Sequence, residues 1–154
     1  MIVYRIVRNI YSDDLSGTGS ALYGGRWNPK GTSFLYTSGS ISLAYLEYLA
    51  HNIHILNTKP VALVKIEVPY DSPTSVVTVK DLPKDWDEKT YSPQSTQQIG
   101  LSFLEKKKYH VLKVPSAIVL DECNYLLNPL HPNHGNVRVI DKVDPFVMDA
   151  RFGR

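Results

Sequence analysis

The sequence has little cysteine, little net charge and no long apolar run. Its one cysteine among 154 residues, Cys123, excludes an internal disulfide and is consistent with a reducing compartment. In that setting it reads most simply as a small buried hydrophobe. Formal net charge is only +2, and the clearest basic run, Lys106 to Lys108, is too short for a nucleic-acid footprint; it reads as the solvated end of a helix. No apolar stretch approaches the roughly 18 residues of a membrane span. The opening MIVYRIVRNI sets Arg5 and Arg8 inside its apolar pattern, which leaves no signal-peptide core. A cytoplasmic protein is therefore expected, with neither a membrane nor direct nucleic-acid contact among its partners. Internal repeats, low-complexity tracts and long Pro/Ser linkers are absent as well, so a single domain over 1–154 is expected.

What is present is the composition of an ordinary globular chain, 43% apolar and 21% charged. Runs of β-branched or alternating apolar residues predict strands at Ile2 to Val7, Ser33 to Thr37, Val61 to Val68, Ser75 to Val79, Ser116 to Leu120 and Val137 to Ile140. Helices are predicted from about Ile41 to Asn52, capped by Ser38 or Ser40, and over roughly Gln97 to Lys107. The segment from Tyr70 to Ser95, with its three prolines, reads as loop with a short helical turn near Trp86. Strands outnumber helices without alternating with them. The fold class is α+β, with a mixed, mainly antiparallel sheet.

Within the helix SISLAYLEYLAHN, Leu43, Leu46 and Ala50 recur at helical spacing as an apolar stripe, and Glu47 falls on the same face. A carboxylate there has a structural partner, lines a cavity or does chemistry, because an unpaired buried charge is costly.

The stretch ALYGGRWNPKG raises a similar question. Its glycines satisfy neither the dinucleotide fingerprint, which needs a third glycine at position 22, nor the phosphate loop, which needs Lys then Ser or Thr after Gly24. Glycines 17, 19, 24 and 25 nevertheless permit close approach of backbone to a ligand, and they deliver Arg26, a permanent cation suited to phosphate or carboxylate. Arg26 reads equally as a partner of loop carbonyls. Trp27 reads as an anchor that packs the loop down. Tyr36 ends the strand SFLYTS just before the Glu47 helix, so ring and carboxylate can face one cleft; the alternative is half-buried packing. Ser116, after Pro115 in KVPSAIVL, stands at the opening of an apolar strand, where its hydroxyl reaches either a ligand or backbone. Asn28 and Asn128 precede prolines and read as turn residues or as ligand contacts. His51-x-x-His54 and His131-x-x-His134 have spacings compatible with a metal, with Asp121 or Cys123 to complete a site. Neither pair sits on a rigid element, and no metal is expected.

Taken in order, YRI, LSGTGSALYGGRWNPKG, FLYTS, SLAYLEYLAH, VPSAIV and NYLLNPLHP resemble the RES domain family, named for its Arg, Glu and Ser. The resemblance runs from about Val3 to Phe152. It puts the family's Arg, Glu and Ser at Arg26, Glu47 and Ser116, with Tyr36 as the accompanying aromatic. It implies a fold similar to ADP-ribosyltransferase toxins, an activity that destroys NAD, and a place as the toxin of a bacterial toxin–antitoxin pair. The implied partner is an Xre-type helix-turn-helix antitoxin. On this reading Glu47 stabilises an oxocarbenium-like ribose as nicotinamide leaves, Arg26 holds phosphate and Tyr36 stacks on nicotinamide or ribose. Ser116 bonds the carboxamide or a ribose hydroxyl, and Asn28 and Asn128 are further substrate-binding candidates. NAD is substrate, no cofactor is implied, and inorganic phosphate is a possible co-substrate. The acceptor stays open between water, phosphate and a macromolecule, and so does a silent partner-binding module.

Overall fold

The computed structural model describes residues 1–52, 59–88 and 92–153; His54 lies outside them. Seven strands form one sheet in the order β4-β5-β6-β2-β1-β3-β7: β1 Ile2–Arg8, β2 Leu35–Ser38, β3 Val61–Glu67, β4 Thr74–Val76, β5 Val111–Pro115, β6 Cys123–Leu127 and β7 Arg138–Val143. Every neighbouring pair is antiparallel except β4 with β5. The fold is thus α+β with a mixed, mainly antiparallel sheet, as the strand count and spacing imply.

Both faces of the sheet are covered, and the twofold alternation of strand side chains assigns neighbours to opposite cores. Val111 and Leu127 join Val3, Leu35, Val64 and Ile66 on one side. Their neighbours Leu112 and Leu126 join Trp27, Phe34, Trp86, Phe103 and Val114 on the other. A third cluster, Leu49, Val61 and Met148, docks α2 (Ile41–Asn52) at the end of β3. The near-continuous apolar run of β3 fits a strand buried on both faces.

Several elements differ from the sequence expectation. No strand covers Ser116 to Leu120. Instead the Ser116 hydroxyl accepts the N–H groups of Ile118 and Val119 at 3.0 and 3.1 Å, turning the chain. Asp121, at φ 63°, completes the reversal, so the apolar AIVL run is a turn that leaves Leu120 85% exposed. The paired strands are β5 and β6 on either side of it. The glycine stretch holds a short helix, α1 (Thr18–Tyr23), between left-handed Gly17 and Gly24. Helix α3 spans Gln94–Glu105, starting earlier than periodicity suggests. Val79 belongs to a 3₁₀ turn, Val79–Asp81, rather than to β4.

The α2 stripe is also shifted. Leu43, Ala44 and Leu49 are its buried residues, whereas Leu46 and Ala50 are exposed. Ser40 caps the helix by accepting the Leu43 N–H at 3.1 Å. Ala44, Glu47, Tyr48 and His51, spaced at i, i+3, i+4 and i+7, face a cleft. The two stripes share Ala44, which is buried at the floor of the cleft.

Candidate active site

The cleft encloses about 440 Å³ between α1, the glycine loop, β2, α2 and the β5–β6 turn. A larger open groove of about 750 Å³ beside α3 contains none of the candidate site residues. Arg26, Tyr36 and Glu47 line the smaller cleft together with Trp27, Ser38 and Asn124.

Its glycine-rich wall is clamped by α3. Thr96 Oγ1 donates to the Arg26 carbonyl at 2.5 Å, and Gln97 Nε2 donates to the carbonyls of Gly25 and Asn28 at 2.9 and 3.2 Å. Trp27, 3% exposed, packs tilted against Trp86 with ring centroids 6.3 Å apart. The tryptophan is therefore the anchor of the loop as well as part of the cleft surface. The Arg26 guanidinium donates to the Trp86 carbonyl and lies over the Trp86 ring. Gly25 is glycine because a Cβ there would stand 2.6 Å from the Tyr36 hydroxyl.

Behind the loop, the Tyr36 hydroxyl donates to Asn28 Oδ1 at 2.6 Å and accepts the Trp27 N–H at 3.2 Å. Burial pushes its phenol well above the ordinary value; the Trp27 bond and Arg26 oppose the rise, and Glu47 adds to it. Asn28 is fully buried, and its amide donates to the carbonyls of Ser20, Pro29 and Thr32. Every polar atom of that side chain already has a partner inside the protein.

Opposite, Glu47 Oε1 receives two donors: Ser116 Oγ at 3.1 Å and Asn124 Nδ2. Ser116 is 7% exposed and stands behind the cleft wall, its hydroxyl shared between Glu47 and the two turn N–H groups. Asn128 is not among the lining residues; its Oδ1 accepts the Leu130 N–H at 3.0 Å and closes a turn. The structure thus brings Arg26, Tyr36 and Glu47 to one cleft, sets Ser116 and Asn28 directly behind them, and leaves Asn128 in the turn after β6.

Sequence reasoning missed Asn124, Ser38 and Arg5. Arg5 reaches the cleft from β1 and donates to the carbonyls of Asp14 and Tyr11 at 2.8 and 3.0 Å. Burial lowers its pKa against the pull of Asp14. An asparagine in the middle of the apolar run CNYLL was the signal for Asn124.

His131 and His134 join a residue the sequence did not single out, His110, which is fully buried. The chain of bonds has one direction. His134 Nε2 faces the Leu15 carbonyl at 2.8 Å and must donate, so its Nδ1 accepts from His110 Nε2 at 3.2 Å. His110 Nδ1 then accepts from Ser72 Oγ at 2.9 Å. Burial, then His134 and His131, push His110 down to about 4. Among the described residues no group of three or more His, Cys, Asp or Glu side chains is arranged to hold a metal ion. Cys123 is half-buried at the start of β6 rather than buried in a core. Among the described residues no helix is long and apolar enough to cross a membrane.

The fold is a mixed, mainly antiparallel sheet with a cleft that brings Glu47 together with Arg26 of the glycine-rich loop. The RES domain family model matches residues 2–149, and the chain belongs to that family. It is 37% identical over 154 residues to "Toxin Res" of Photorhabdus laumondii, covering 99% of this chain and 97% of the relative. To the "Prs ADP-ribosylating toxin" of Sphingobium sp. strain YBL2 it is 35% identical over 153 residues, covering 96% and 91%. The crystal structure of the M. tuberculosis MbcT–MbcA toxin–antitoxin complex contains a similar fold, with a TM-score of 0.78 at 19% identity over 93% of this chain and 82% of that one.

Proposed function

We propose that this chain is the toxin of a type II toxin–antitoxin pair and that it depletes NAD by cleaving the bond between nicotinamide and ribose. The observation that carries the proposal is the convergence of Glu47, Tyr36 and Arg26 on one cleft, with Glu47 held by two donors through one oxygen. Cleavage develops positive charge on the ribose, and a fixed carboxylate beside it lowers the barrier by electrostatic preorganisation. Nicotinamide leaves a pyridinium as a neutral molecule, so no second carboxylic acid is needed to protonate it, unlike the leaving group of a glycosidase. Arg26 supplies positive charge toward the substrate's phosphates, exchanging or sharing its hold on the Trp86 carbonyl. The Tyr36 ring offers a face to nicotinamide or ribose.

The names of the relatives favour a toxin role, and the antitoxin is proposed to be an Xre-type helix-turn-helix protein in the cytoplasm. The acceptor is water, giving a glycohydrolase, or inorganic phosphate, giving a phosphorylase. A second reading, transfer of ADP-ribose to a macromolecule, is favoured by the name of the Sphingobium relative. Incubating antitoxin-free protein with NAD, with and without phosphate, and following nicotinamide and the ribose product by NMR tests all three. Absence of nicotinamide release from folded protein would overturn NAD cleavage. Release that requires phosphate would identify the acceptor, and release that requires a cell extract, with label appearing on protein or RNA, would favour transfer.

A further inference from the structure

We infer that Asn124 is a positioning residue for Glu47, and that Ser38 fixes it in that task. This inference rests on the reading of Glu47 as the reacting carboxylate. Asn124 lies directly opposite Ser38 in the β2–β6 ladder. Its side chain has one amide end and one carbonyl end, and only the amide can bond a carboxylate. Nδ2 donates to Glu47 Oε1, while Oδ1 accepts the Ser38 hydroxyl at 2.8 Å.

Ser38 is 5% exposed, so its donation biases the Asn124 amide against flipping. Flipping would turn a carbonyl oxygen toward the carboxylate. Each bond in the series Ser38, Asn124, Glu47 points its hydrogen at the next residue, an arrangement in which neighbouring bonds polarise one another. With Ser116 holding the same oxygen, the carboxylate cannot rotate without losing two donors. Among the described residues nothing bonds Oε2, which is the oxygen left for a developing cation. Asn124 therefore acts through Glu47, by fixing which oxygen meets the substrate.

The test compares the full-length chain with Asn124→Ala, Asn124→Asp and Ser38→Ala, reading nicotinamide release from NAD between about pH 5 and 9. Asn124→Ala is expected to lower kcat by about 10- to 100-fold, the worth of one bond to a charged group, with KM within about threefold. Asn124→Asp should recover activity on the acid side, where a protonated aspartic acid can still donate to Oε1. It should lose activity as pH rises and two carboxylates face each other. Ser38→Ala should fall between wild type and Asn124→Ala. A loss confined to KM, or an Asn124→Asp profile parallel to wild type, would overturn the inference. If wild-type protein releases no nicotinamide, the proposed function fails by itself. The positioning claim is then decided by the ¹³C carboxyl resonance of Glu47, which must move in both Asn124→Ala and Ser38→Ala. An unmoved resonance in Asn124→Ala overturns it.

Discussion

Gly100 of α3 lies so close to the main chain of Trp27 that a Cβ added to it would stand 1.9 Å from the Trp27 carbonyl oxygen. The helix can clamp the Arg26 loop only because that position has no side chain. Gly100→Ala must push α3 off the loop, and a loss of about 3 kcal/mol or more is expected in thermal or urea unfolding. Gly19→Ala is the contrast: a Cβ there meets nothing within 4 Å, so stability should hold or rise slightly in α1.

Glu47→Gln should leave the fold intact, since a glutamine oxygen can still accept from Ser116 and Asn124. It removes the charge. Nicotinamide release is expected to fall by about 10²- to 10³-fold, measured beside a circular dichroism spectrum that matches wild type.

Tyr36→Phe should act mainly on stability. It strands Asn28 Oδ1 and the Trp27 N–H at a buried position, which costs about 1–3 kcal/mol. The expected readout is a lower urea midpoint, with a smaller loss of turnover than in Glu47→Gln because the ring face remains.

Acid should loosen the histidine cluster. His110 is neutral in the fold, with its pKa lowered to about 4 by burial and by His134 and His131, and His134 is lowered too, chiefly by burial. The unfolded chain takes up protons at ordinary histidine values near 6.5. Stability is therefore full above that pH and declines as pH falls toward 4, by on the order of 2–3 kcal/mol for His110. Urea midpoints across this range should trace the decline, and His110→Gln should flatten it.

The parts of this molecule that sequence reading recovered are those where one local rule acts alone. The α2 helix was legible from its spacing and its serine cap, and β1 and β3 from their apolar runs. Glu47 stood out because a carboxylate broke an apolar pattern. A strand was expected at Ser116 to Leu120, between the real β5 and β6, because AIVL has the composition of a strand, while the Ser116 turn and left-handed Asp121 that exclude one are set by hydrogen bonds and dihedrals. Leu46 and Ala50 were assigned to the core because periodicity gives the width of a face and not the tilt at which the helix meets the sheet. Asn124 interrupts the apolar run CNYLL, but its role was not legible from that alone: its partners are Ser38 on one side and Glu47 on the other, and both lie more than seventy residues away.

That separation has a consequence for when the protein becomes active. Arg26, Tyr36 and Glu47 all lie in the first third of the chain, but the groups that orient the glutamate arrive with β5 and β6, in the last third. The β2–β6 ladder and the bonds of Ser116 and Asn124 to Glu47 join the two contributions. A chain still emerging from the ribosome carries Arg26, Tyr36 and Glu47 but lacks the wall that Pro115, Ala117, Ile118 and Asn124 complete, so it has no assembled cleft. On the proposed function, the NAD-cleaving cleft is complete only once β6 has been made and has paired with β2.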